Sequence, residues 1–100
     1  LDVAFDNEQA FNIIQIAKNS KRDICKRWNT IYFKTAREKR VNQYLNIKHY
    51  FKKEVNLYRL EFVFCKKYFT KKEPFELMEK TIKNILKRAF KFEEDFNLLS

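Results

Sequence analysis

A chain of 100 residues with no glycine and a single proline has few ways to turn sharply. Average usage would supply roughly seven glycines at this length. Glycine is the default residue for left-handed backbone, for primed hairpin turns and for loops that cradle phosphate. Its absence excludes a glycine-rich phosphate loop, a dinucleotide-binding fingerprint and a nucleophile elbow. It also argues against tight hairpins. The remaining composition, rich in Lys, Leu, Ile, Phe, Glu and Asn, points to helices. The expected fold class is therefore all-α: a small orthogonal bundle of three to five helices, with a long C-terminal helix after Pro74.

Hydrophobic residues make up 45% of the chain and aromatic residues 17%, enough for a core despite 35% charged residues. Large aromatics, here eleven Phe and five Tyr, maximise burial in a small domain. The formal net charge of +9 is unevenly spread: residues 1–20 sum to −2, residues 21–72 to +12 and residues 73–100 to −1. A basic middle attracts phosphate, anionic lipid or an acidic protein. No stretch approaches the twenty apolar residues of a membrane span, and no basic region followed by an apolar run opens the chain. The expectation is an intracellular protein, nuclear or cytoplasmic, without a membrane partner, and part of a larger chain.

Hydrophobic spacing supplies the expected elements. Phe5, Ala10, Phe11, Ile13, Ile14, Ile16 and Ala17 predict a helix over 5–18. Ile24, Trp28, Ile31 and Thr35 share a stripe over 21–38, with Lys26, Arg27, Lys34 and Arg37 opposite. Val41, Tyr44, Lys48, Phe51, Val55, Tyr58, Phe62, Cys65 and Phe69 continue at three- and four-residue steps over 41–69. Pro74 suits the first position of a last helix, 74–96, with residue 73 extended before it. The expected domains are 5–72 and an additional helix, 74–96, acting as a linker or packed on the bundle.

No catalytic, cofactor-binding or metal-ligating set emerges. His49 is the only histidine, Cys25 and Cys65 lie forty residues apart, and Glu73, Glu76 and Glu79 read as a solvated helix face. Nucleic-acid binding is one alternative: Lys21–Arg22, Lys26–Arg27, Arg37, Lys39–Arg40 and Lys52–Lys53 would contact phosphates, and Trp28, Tyr32 and Tyr50 would stack on bases. Another is an extended basic helix clasped by calcium-binding EF-hand proteins of the calmodulin or centrin type, through Ile24 and Trp28 or Leu57 and Phe62.

Short motifs also resemble an FF domain. Phe11-Asn12-Ile13-Ile14 is similar to the Phe-x-x-Leu-Leu opening of that family's first helix. Arg27-Trp28-Asn29-Thr30-Ile31-Tyr32 is similar to its tryptophan-bearing second helix. Glu38-Lys39-Arg40-Val41 stands where the family has an Asp-Pro-Arg-Tyr turn, and Leu60-Glu61-Phe62-Val63-Phe64 resembles the opening of its third helix. The likeness covers about residues 7–72; lysine and valine replace the proline and tyrosine of the turn, and the stretch before the third helix is longer. It implies a non-enzymatic protein–protein interaction module that binds an acidic or phosphorylated segment. Phe11, Ile14, Trp28 and Phe62 would then be core, with Ile31 on the same helical stripe as Trp28. Lys26, Arg27, Arg37, Lys39 and Arg40 would form the binding face. With Trp28 buried, Trp28→Ala would cost about 3–5 kcal/mol.

Overall fold

The computed structural model describes residues 1–35 and 42–90. The chain forms β1 (Asp2–Asn7), α1 (Ile13–Ser20), β2 (Asp23–Arg27), β3 (Thr30–Lys34), β4 (Leu45–Lys52), β5 (Leu57–Phe64), a 3-10 turn (Lys66–Thr70) and α2 (Pro74–Leu86). The strands build one antiparallel sheet in the order β1-β5-β4-β3-β2. The expectation of an all-α bundle is thus overturned: the fold is a mixed one, a five-stranded sheet carrying two helices. The segment 21–38, read as one helix, holds the β2–β3 hairpin, and 41–69 holds the β4–β5 hairpin.

Period-two alternation explains the sheet. Leu45, Ile47, His49 and Phe51 pair in register with Phe64, Phe62, Leu60 and Tyr58, so they share one face. Phe33 and Ile31 extend that face on one side, and Val3 and Phe5 on the other. Asn46, Lys48, Tyr50 and Lys52 point the opposite way. β-Branched and aromatic residues fill such a half-buried pleated surface well. The first face buries Phe33, Ile47, Leu60, Phe62 and Phe64, each side chain contributing about 1.5–3 kcal/mol by leaving water.

Both helices cover this face. Ile16 of α1 and Ile85 of α2 belong to the same buried cluster as Phe11, Phe62 and Ala89. Asn12 caps α1, its Oδ1 accepting the Gln15 N–H at 3.2 Å. The side chain of Asn19 donates to the carbonyls of Ile85 and Lys87, which ties the end of α1 to the end of α2. Pro74 opens α2 as expected. Glu73, expected to be extended, has φ 54° and ψ 50° instead.

The missing glycines did not prevent tight turns. Lys21, Trp28, Asn56, Glu73 and Arg88 all adopt positive φ, between 54° and 59°. Each side chain there opposes the left-handed backbone by roughly 1–2 kcal/mol, less for asparagine. Sheet pairing and core burial offset that cost, so the all-helix inference from composition fails.

Phe11 and Phe62 are fully buried and Ile31 is half-buried. Ile14 is 75% exposed, because the buried side of α1 is set by Ile13, Ile16 and Ala17. Trp28 is 94% exposed, because it occupies a hairpin turn and not a helix stripe. Neither is a core residue. No helix among the described residues is long and apolar enough to cross a membrane.

Candidate functional site

The β2–β3 connection is a two-residue turn, Trp28–Asn29, closed by the Arg27–Thr30 pair. Two-residue turns require positive φ at their first central position, which is where glycine normally sits. Trp28 holds it with φ 55°. The result is the chain's single tryptophan standing out from the sheet end, directly after Lys26 and Arg27.

Behind this turn lies a cleft of about 460 Å³. Lys26 and Asn29 form one wall, Ala10 and Ile13 another, and Lys53 of the β4–β5 turn the far rim. Its base holds Ile31, His49, Phe51 and Tyr58. The His49 ring stacks on Tyr58, with centroids 5.7 Å apart and planes 11° apart, and Phe51 meets Tyr58 edge-on at 5.0 Å. Phe51 stays 38% exposed. Among the described residues, the charged side chains lining the cleft are the two lysines. It therefore presents aromatic surface under a positive rim, a setting for a planar, anionic group.

His49, expected as a surface or half-buried helix residue, is a buried strand residue at 4% exposure. Its Nε2 accepts the backbone N–H of Phe11 at 3.2 Å, which places the ring proton on Nδ1. This bond holds the β1–α1 loop against the sheet and shapes the cleft wall.

The sheet face away from the helices carries Tyr32 and Tyr50 as diagonal neighbours on β3 and β4. Lys34 lies 5.5 Å from the Tyr32 ring and Lys48 5.6 Å from the Tyr50 ring. Much of this face is internally paired. Tyr50 donates to Glu61 at 3.0 Å, Lys48 lies 3.5 Å from Glu61, and Arg59 grips Asp6. Burial, reinforced by the Glu61 contact, pushes the Tyr50 phenol above its ordinary pKa. The Arg59 hydrogen bond holds the Asp6 carboxyl below the usual range. Carboxylates at Asp2, Asp6, Asp23 and Glu61 nearly balance the cations of this face, whereas among the described residues none lines the cleft.

Of the sequence-derived binding residues, Lys26 and Arg27 lie on β2 beside the turn, while Arg37, Lys39 and Arg40 lie outside the described residues. The segment around Leu57–Lys66, considered as an EF-hand target helix, is mostly strand β5 (Leu57–Phe64), with Leu60, Phe62 and Phe64 buried. The residues that carry the FF resemblance fall on a loop running into α1, on the β2–β3 hairpin and on β5, apart from 38–40 and 41, which lie outside the described residues. Phe51, Tyr58 and Asn29 were not singled out as site residues. The signal of Phe51 and Tyr58, alternation through β4 and β5, emerges only once those segments are read as strands, and that of Asn29 only once 28–29 is read as a hairpin turn. Among the described residues, no group of three or more His, Cys, Asp or Glu side chains is placed to hold a metal. No family model matches the chain, and neither a curated protein nor a solved structure matches it.

Proposed function

We propose that this protein binds single-stranded nucleic acid through the sheet end formed by the β2–β3 and β4–β5 turns. The observation that carries the reading is Trp28, almost wholly exposed in a strained turn next to Lys26 and Arg27. A bulky side chain held at positive φ and turned to water costs stability and contributes no burial, which favours a role in contact with a partner. Exposed aromatics offer every base a stacking surface, worth about 1–3 kcal/mol per base. Lys26 and Lys53 supply phosphate contacts on the cleft side of the turn, Arg27 and Lys52 supply others from the opposite face of the same sheet end, and the aromatic cleft admits a base beside the turn.

Trp28 reports on its own binding event, since no other tryptophan contributes fluorescence. Titration with a short oligothymidylate should quench it. The affinity should fall with salt at a logarithmic slope of about −2 to −3, at about 0.7 per phosphate neutralised on a single strand. Lys26→Gln and Lys53→Gln should each flatten that slope by about 0.7. Absence of quenching, or an affinity indifferent to salt, would reject the reading. Quenching by a phosphorylated acidic peptide but not by oligothymidylate would transfer the site to a protein partner.

A further inference from the structure

We propose that two copies of this chain join along β2, antiparallel and centred on Cys25, to make one continuous ten-stranded sheet. β2 is an edge strand: among the described residues it pairs only with β3. The two-residue turn makes Arg27–Thr30 a hydrogen-bonded pair, and Cys25–Tyr32 and Asp23–Lys34 follow at alternate positions. The backbone groups of Ile24 and Lys26 therefore face outward, along a template ready for another strand.

Only one register about this edge is self-complementary. Centring on Asp23, Lys26 or Arg27 sets like charges against each other. Centring on Ile24 opposes Arg22 to Lys26. Centring on Cys25 sets Asp23 of each copy against Arg27 of the other, and Ile24 against Lys26, whose methylene stem can cover the 45%-exposed isoleucine. Among the described residues neither Asp23 nor Arg27 has an ion-pair partner within its own chain. The same register makes Ile24 and Lys26 the hydrogen-bonded pairs, satisfying the outward groups of both copies. Cys25 then meets its counterpart as a non-hydrogen-bonded pair, at a Cα separation of about 4.5 Å, within the range a disulfide spans. Both cysteines of the chain are free and half-buried.

Light scattering on the full chain should give a concentration-dependent mass approaching twice 12.4 kDa. Arg27→Asp should weaken the dimer by roughly tenfold, two cross-strand pairs passing from attraction to repulsion. Adding Asp23→Arg should restore it, which a variant that merely misfolds would not do. Mild oxidation with copper–phenanthroline should produce a covalent dimer that Cys65→Ser retains and Cys25→Ser loses. A monomer at every concentration, a cross-link through Cys65, or a dimer blind to the charge reversals would overturn the proposal. So would amide protection at Ile24 and Lys26 that persists on dilution, since the chain itself would then cover the edge.

Discussion

The backbone N–H of Phe11 donates to Nε2 of His49, and the two rings meet edge-on with centroids 5.6 Å apart. Both residues are buried, and they join the β1–α1 loop to the centre of the sheet. Replacing His49 with leucine keeps most of the volume but leaves a buried donor without its acceptor. Such a loss costs about 1–3 kcal/mol. Urea unfolding should show a lower midpoint with an unchanged slope, and the bound state should weaken as the cleft wall loosens.

Trp28→Ala separates folding from binding. At 94% exposure the indole contributes little burial, so the urea midpoint should move by no more than about 0.5 kcal/mol equivalent. Oligothymidylate affinity, read by anisotropy of a labelled strand, should drop by about tenfold or more, the loss of one stacked base. A large loss of stability would instead return Trp28 to the core.

Lys21→Gly should stabilise the protein. Lys21 sits in left-handed backbone just past α1, with its N–H donating to Lys18 and that of Arg22 donating to Ala17. This is the helix-ending arrangement in which glycine is strongly preferred. Relief of the side-chain clash, roughly 1–2 kcal/mol, exceeds the extra chain entropy glycine loses on folding, about 0.5–1 kcal/mol. A net gain of up to about 1 kcal/mol in urea unfolding is expected.

The Asp6–Arg59 contact has a pH signature. Arg59 donates two hydrogen bonds, 2.7 and 2.8 Å long, to the two Asp6 oxygens across the β1–β5 ladder. Because the folded pKa of Asp6 is depressed, its contribution is complete above the unfolded value of about 4 and is lost as pH falls through the lower folded value. The midpoint difference between wild type and Asp6→Asn should be constant at neutral pH and shrink in acid. A difference independent of pH would show that the contact is not ionic.

Part of this protein was legible along the chain. Pro74 marked the start of α2, and Phe11 and Phe62 were apolar in any reading. The pairs Lys26–Arg27 and Lys52–Lys53 and the aromatic Trp28 stood out along the chain as candidates for the contacts proposed above. Helix against strand was not legible. In β5, Leu57 and Val63 lie opposite the buried Leu60, Phe62 and Phe64, so an apolar-rich run satisfies both a period of two and a period near 3.6. The missing glycines then tipped the reading toward helix, although Trp28 and Asn56 form the hairpin turns without them.

By itself the sequence determined the supply of core side chains, the basic middle and the exclusion of glycine-dependent phosphate loops. Only the tertiary structure decided that β4 and β5 are strands, that Trp28 faces water, and that Lys26 and Lys53 line one cleft. The reason is the reach of the hydrogen bonds. A helix closes its backbone bonds within four residues, so local spacing proposes it. A strand closes them with a segment elsewhere in the chain, as β1 does with β5, and a side chain's exposure follows from that distant partner.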